Sequence, residues 1–328
     1  MNILYIGDPH IKPSNMKEAR QLFTFIKEII LELKPDRVVL LGDLFHTHAV
    51  LRLEVLEFWD QWLNELSQIC ELVVLVGNHD MTGDYNSDSH ALSVFKRLES
   101  KNLTIVDKPT LRGVHGYLPY IHDKERFIAM ANGLASSAAK ILVCHQSFST
   151  SKFESGTYDP EGIDPSPINF DTIISGHIHA NQECLADGKQ IIHPGTAWWM
   201  TESDANQEKG IWLYEHDDST GAIITKRMIG TKHVVTKIVS IKWEEGKPLP
   251  AIEADVKTTI ELIGSAAWVA NHKKELKGNY SLKTQITDRV DKSIRNPGKN
   301  FHDFVSNVFV TSVDRTALLK YMKEHSIV

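Results

Sequence analysis

NILYIGDPH, residues 2–10, carries an unbroken apolar run from Ile3 to Ile6 straight into Gly7, Asp8 and His10. A continuous apolar run this short reads as a strand buried on both faces, and its polar end marks the strand's C-terminal tip. The same phrase returns four times: DRVVLLGDLFH at 36–46, ELVVLVGNHD at 71–80, KILVCHQSF at 140–148 and DTIISGHIHA at 171–180. Five strands therefore present Asp, Asn or His at one end, where sheets of this kind gather their ligands.

Between the early strands, Met16–Leu33, Val50–Leu66 and His90–Ser100 carry apolar residues at helical spacing, so the first half alternates strand and helix. From Lys189 the texture changes to short strands, KQIIHPG, GIWLYEH, AIITKRMI and VTKIVSIKW, with turn signals between them, which predicts a second sheet. Around Lys247-Pro248-Leu249-Pro250 the pattern breaks, and the remaining chain reads as a small α+β cap. The expected domains are residues 1–235 and 236–328.

A length of 328 residues with 42% hydrophobic and 24% charged content is an ordinary globular profile and excludes a fibrous chain. No apolar run reaches the ~18 residues of a membrane span and no signal-like start is present, which predicts a cytoplasmic or nucleoid-associated protein. Cys70, Cys144 and Cys184 are odd in number and far apart, so no disulfide framework is expected. Residues 231–328 hold 16 Lys+Arg against 11 Asp+Glu, whereas residues 1–230 hold 20 against 31. The basic C-terminal part leaves room for a phosphate-bearing partner.

The strand tips supply Asp8, His10, Asp43, His46, Asn78, His79, Asp80, His145, His177 and His179. Mixed carboxylate, amide and imidazole donors suit a borderline divalent ion such as Mn²⁺, Fe²⁺ or Zn²⁺. Seven ligands exceed the needs of one ion. Two ions bridged by a carboxylate and a hydroxide would use them all, and such pairs hydrolyse phosphate esters. In Asp8-Pro9-His10 and His177-Ile178-His179 the ligands stand two apart, which projects them to one side of an extended segment.

GDPH at 7–10, GDLFH at 42–46, GNHD at 77–80, CHQ at 144–146 and GHIH at 176–179, in this order, resemble the calcineurin-like metallophosphoesterases over roughly residues 1–230. The His of GDLFH, GYLPY at 116–120, the Gln after His145 and HPGT at 193–196 are similar to the SbcD (Mre-eleven) type DNA repair and recombination nucleases. The resemblance implies an α+β fold, a four-layer α/β/β/α sandwich of two mixed sheets flanked by helices. It assigns Asp8, His10, Asp43 and His179 to one ion, and Asp43, Asn78, His145 and His177 to the other. His79 would be the catalytic histidine beside the scissile phosphate, and His46 a further active-site histidine. It also implies manganese, DNA as substrate, a homodimer, and an SbcC or Rad-fifty type coiled-coil ATPase as partner.

Other residues divide between roles. Asp80 reads as an orienting group, His48 as an exposed loop residue, His193 as a residue before a turn, and Cys144 as a buried thiol. The helix of VLRLEVLEFWDQWLNEL carries two apolar stripes, one of which is open to a second subunit. Lys273, Lys274 and Lys277 begin a basic run, with Tyr280 and Phe301 interleaved, that suits a DNA backbone. No GxxxxGK[ST] loop is present, so ATP hydrolysis by that route is excluded. The leading expectation is a metal-dependent DNA exonuclease, with endonuclease activity open. The alternatives are a phosphatase or phosphodiesterase on nucleotides or phosphoproteins, and a noncatalytic scaffold on the same fold.

Overall fold

The computed structural model describes residues 1–48, 50–83, 89–276 and 280–287. Two compact units divide the chain: Met1–Val239 with Glu253–Lys257, and Ser240–Ile252 with the described residues from Thr258 onward.

In the first unit, β1 (Asn2–Ile6), α1 (Met16–Leu33), β2 (Arg37–Leu40), α2 (Leu53–Ser67), β3 (Glu71–Leu75) and β4 (Leu103–Val106) alternate as expected. After them come β5 (Thr110–Arg112), β6 (His115–Leu118), α3 (Lys124–Ser136), β7 (Ile141–Cys144), β8 (Thr172–Ser175), β9 (Gln182–Ala186), β10 (Lys189–His193), β11 (Gly210–His216) and β12 (Ile223–Gly230). One sheet has the order β12-β11-β1-β2-β3-β4 and the other β5-β6-β7-β8-β10-β9. Both are mixed: β1 to β4 run parallel with β11 antiparallel to β1, and β6, β7, β8 and β10 run parallel between antiparallel edges. This is an α+β sandwich of two mixed sheets flanked by helices.

The layers follow from the side chains. Ile3, Tyr5, Val39, Leu41, Val73, Leu75, Ile141, Val143, Ile174 and Ile192 meet between the sheets. On the other face of the first sheet, Leu4, Ile6, Val38 and Leu40 pack against Leu22, Phe23 and Ile26 of α1 and Phe58, Trp59 and Leu63 of α2. Leu142 and Ile173 meet Phe127 and Ala131 of α3. Strands apolar on both faces are what this layering requires.

Three expectations change. The late strands do not form a sheet of their own, because the free edge of β1 takes β11, β12 follows it, and β10 joins β8 in the second sheet. His90–Ser100 yields a 3₁₀ turn at Ala91–Leu98 rather than an α-helix. Both stripes of α2 are used internally, with Val55, Phe58, Trp59, Trp62, Leu63 and Leu66 buried, and only Val50, Leu51 and Leu53 at its start left exposed. Among the described residues no helix is long and apolar enough to cross a membrane.

The second unit contains β13 (Ile238–Glu244) from Ser240, β14 (Lys257–Gly264) from Thr258, α4 (Ala266–Leu276) and β15 (Ser281–Ile286), the first residues of β13 and β14 belonging to the first unit; the strands lie in that order with β14 and β15 parallel. Trp243, Ile260, Leu262, Val269 and Leu276 form its core.

At the other end of the sandwich from the Asp/His tips, His115 packs edge-on to His216 at 4.9 Å, and neither ring nitrogen of His115 has a hydrogen-bond partner. Burial, with His216 and Arg37 nearby, pushes His115 down to about 3. A histidine that takes its proton near pH 6.5 when unfolded and only near 3 when folded favours unfolding as pH falls between those values, by up to about 1.4 kcal/mol per pH unit. His115→Phe should therefore change stability at pH 7.5 by under about 1.5 kcal/mol and flatten its decline between pH 6 and 4. Urea titrations at each pH check this, and an unchanged slope contradicts it.

Candidate metal centre

The tips converge because the parallel strands end at one edge and the backbone turns sharply there. Asp8, His10, Asp43 and His177 all have positive φ, at 31°, 45°, 51° and 73°. Non-glycine residues seldom adopt this region, although Asp and His tolerate it better than most. Such strain, of order 1–3 kcal/mol per residue, concentrates at functional sites. Backbone bonds lock the turns together, with His10 N–H donating to the Asp43 carbonyl (2.9 Å) and Ile11 N–H to that of Leu44 (2.9 Å). Glycine is needed where the loops touch. A Cβ on Gly77 would stand 2.2 Å from Asp43 Oδ1, and one on Gly176 would stand 2.6 Å from the Leu41 carbonyl oxygen and 2.8 Å from His145 Nδ1.

All seven predicted ligands come together. His10 Nε2 lies 3.4 Å from Asp43 Oδ2 and 3.1 Å from His179 Nε2. On the opposite side, His145 Nε2 lies 3.3 Å from Asp43 Oδ1 and 3.0 Å from Asn78 Oδ1, and His177 Nδ1 lies 2.8 Å from that same Asn78 oxygen. The two oxygens of Asp43 thus face different histidine sets. Asp8 Oδ1 accepts the His177 backbone N–H at 3.1 Å and sits 3.4 Å from His145 Nδ1. The ligating atoms of Asp43, His145 and His177 fall within 4.8 Å of one another, as do those of His10, Asp43 and His79.

His79 is held beside the cage from two directions. Its backbone N–H donates to Asp43 Oδ1 (2.8 Å), and its ring Nδ1 donates to the His46 carbonyl (2.8 Å), which leaves Nε2 as the free nitrogen. His46 contributes its ring as well, 5.5 Å from that of His10. Asp80 is an orienting group: its two oxygens accept Phe45 N–H (3.0 Å) and Gly77 N–H (2.9 Å), tying GDLFH to GNHD. His48 departs from its expected place in an exposed loop. It is half-buried, stacks on His79 with ring centroids 4.3 Å apart, and donates from Nδ1 to the Asn78 carbonyl (2.9 Å). Its spacing two after His46 was the available signal. Lys12, whose ammonium lies 3.4 Å from His46 Nε2, and Tyr120, stacked on His177 at 5.9 Å, also join the site. Tyr120 closes the GYLPY stretch, whereas Lys12 carries no ligand type that would single it out in sequence.

Electrostatically the cage is a buried charge cluster. Asp8 is fully buried and Asp43 is 2% exposed. Burial pushes Asp8 up to about 6. It pushes Asp43 the same way, but His145, by charge and hydrogen bond, together with His10, holds that carboxyl well below the ordinary range. Burial opposes a proton on His145, yet Asp43 and Asp8 carry it up to about 9. His177, buried beside His145, is lowered to about 3. Asp8 Oδ2 and His10 Nδ1 are buried without any hydrogen-bond partner. Two buried carboxylates, four ring-ligating histidines and an amide, with orphaned donor atoms and no sulfur, fit hard-to-borderline divalent cations.

Neighbouring groups are structural. The ligating atoms of Glu154, His179 and Asp204 also cluster, but the buried Lys209 ammonium already occupies that point, pairing with Asp204 Oδ1 (2.6 Å) and donating to the His179 carbonyl (2.8 Å). His193 is buried and bonds Ser151 Oγ (2.7 Å) and the Ser175 carbonyl (3.1 Å). Cys144 is a buried thiol 3.4 Å from Ser175 Oγ. Lys273 and Lys274 are exposed in the last turn of α4, where cations also favour the helix dipole, and Lys277 lies outside the described residues. Phe301 also lies outside them.

Gly176→Ala should lower the metal retained per chain after dialysis, read by elemental analysis, while circular dichroism stays native. Gly133→Ala, within α3 and with open space around its Cβ, should leave metal content unchanged and add about 1 kcal/mol of stability. Equal metal content in both variants contradicts the tight packing of the cage.

Residues 1–181 match the calcineurin-like phosphoesterase family. Over 205 residues the chain is 30% identical to 244L, named a phosphoesterase, of Invertebrate iridescent virus 6, covering 59% of this chain and 69% of that one. Over 227 residues it is 24% identical to exonuclease subunit 1 of Enterobacteria phage T4, covering 66% and 65%. Over 248 residues it is 25% identical to the DNA double-strand break repair protein Mre11 of Nanoarchaeum equitans, covering 65% and 66%. With its donor cage and the family match over more than half its length, the chain belongs to the calcineurin-like phosphoesterases and is a hydrolase acting on ester bonds.

Proposed function

We propose that this phosphoesterase is a metal-dependent DNA nuclease of the SbcD type, an exonuclease with endonuclease activity open to it. The observation that carries the reading is the gathering of six further donor residues about Asp43 with His79 held beside them by Asp43 and His46. Similarity to T4 exonuclease subunit 1 and to Mre11 supports DNA as the substrate, as does the GYLPY stretch that brings Tyr120 against His177.

Asp8, His10, Asp43 and His179 would hold one divalent ion, and Asp43, Asn78, His145 and His177 the other. Manganese is our choice, with Fe²⁺ or Zn²⁺ compatible with the same donors. Such ions, when bound, polarise phosphoryl oxygens and make a solvent nucleophile available at neutral pH. His79 does the rest of the proton work. With Nδ1–H committed to the His46 carbonyl, its Nε2 is left to carry a proton to the departing oxygen, and His48 stacked on the ring supports its orientation. This role contributes about 10²- to 10⁴-fold.

In the same reading, residues 1–235 form the nuclease domain and 236–328 a cap, in which Lys273, Lys274 and Lys277 meet the DNA backbone. An SbcC or Rad-fifty type ATPase acts in trans in the cytoplasm or at the nucleoid. A homodimer rests on the exposed Val50, Leu51 and Leu53 ahead of α2.

Similarity to the viral phosphoesterase favours a broader phosphodiesterase or phosphatase as the second reading. Duplex DNA and a nitrophenyl phosphate monoester, each with Mn²⁺, separate them: nucleotide release with negligible monoester turnover is the nuclease result, and the reverse overturns it. His79→Ala should lose about 10²- to 10⁴-fold in kcat with metal retained, and Asp43→Ala should lose activity together with at least one ion. Full activity in Asp43→Ala contradicts the bridging role.

A further inference from the structure

Lys12 comes directly after the Asp8–His10 turn and is half-buried. Its backbone N–H donates to Asn15 Oδ1 (2.9 Å), whose amide in turn donates to the His10 carbonyl (3.1 Å), so the segment is pinned to the cage. The ammonium has His46 Nε2 at 3.4 Å, and no carboxylate pairs with it among the described residues. An ammonium held against an imidazole, with no carboxylate to neutralise it, is a group that a phosphate oxygen can accept from.

Lys12 also lines a cavity of about 360 Å³ within the first unit, shared with Asn15, Trp198, Trp199, Met200 and Lys257. Among the described residues, Glu18 is the one acidic residue in the lining. The wall is continuous with the ligand loop, because the Trp198 indole N–H donates to the Pro9 carbonyl (3.0 Å), between Asp8 and His10. The volume is that of a small-molecule site, and two lysines, Lys12 and Lys257, are among its lining residues.

We propose that this cavity seats the nucleotide flanking the bond to be cut in a DNA strand, with the Lys12 ammonium on that nucleotide's phosphate. The assignment rests on the nuclease reading. An isolated phosphate ester has a single phosphate, which the metal cage takes, whereas a strand presents another at each nucleotide. Lys12 and Lys257 thus favour a polyanionic chain over a lone ester.

The test measures binding of a fluorescein-labelled single-stranded oligonucleotide to metal-free protein by anisotropy across a KCl series. Cleavage of the same oligonucleotide and of bis-p-nitrophenyl phosphate with Mn²⁺ is then measured. Lys12→Met should weaken binding about fivefold at 0.1 M salt and reduce the log–log salt slope by about 0.7, the value of one lost single-strand phosphate contact. It should raise KM for the oligonucleotide more than it lowers kcat, and affect the small ester less than the DNA. Lys12→Arg should restore most of the affinity, and exposed Lys101→Met should match wild type. Unchanged affinity and slope in Lys12→Met, or equal losses on both substrates, overturn the assignment while wild-type DNA cleavage leaves the nuclease reading standing. If wild type turns over the small ester yet neither binds nor cuts DNA, the nuclease reading falls and the cavity assignment with it.

Discussion

Two carboxylates, Asp8 and Asp43, lie almost wholly out of water within one cluster of histidines, and the rest of the sandwich is organised around making that arrangement tolerable. Burying like charges costs several kcal/mol per ion unless cations and hydrogen bonds compensate. The protein supplies part of the compensation itself: the His177 N–H on Asp8, the His79 N–H on Asp43, and His145 between the two acids. The remainder is left to divalent cations, which the buried, partnerless Asp8 Oδ2 is able to ligate.

Holding donors from distant parts of the chain at such distances requires rigid supports. Indole N–H groups of Trp59 and Trp198 bond the Leu44 and Pro9 carbonyls, anchoring the ligand loops to the hydrophobic core. Asp80 joins two of the loops, and the buried Lys209–Asp204 pair fixes the carbonyl of His179. Left-handed backbone at Asp8, His10, Asp43 and His177 is thereby sustained by surroundings that over-determine it. Fold and chemistry are linked in one direction: the core tolerates the strained tips, and the tips create the donor cage.

The strands and the ligand set are legible in sequence because burial on both faces writes itself as apolar runs, and because Asp, Asn and His at their ends stand out. Which sheet each late strand joins is not, since β11 reaches β1 through a pairing between residues such as Tyr5 and Trp212 that no local pattern encodes. The two stripes of α2 look like surplus surface until α1 brings Phe23 onto Phe58, Trp59 and Trp62. His48 reads as one more loop histidine until the GNHD loop arrives beside it, and nothing in the sequence sets Lys12 apart, because its contact with His46 joins segments 34 residues apart. What escapes the sequence is, in each case, a contact between segments far apart along it.

Crystals of the protein equilibrated with manganese should show two anomalous peaks, one on each side of the Asp43 carboxylate, with His10 and His179 at one and His145, His177 and Asn78 at the other. No peak at Asp43, or ions bound only elsewhere, would contradict it.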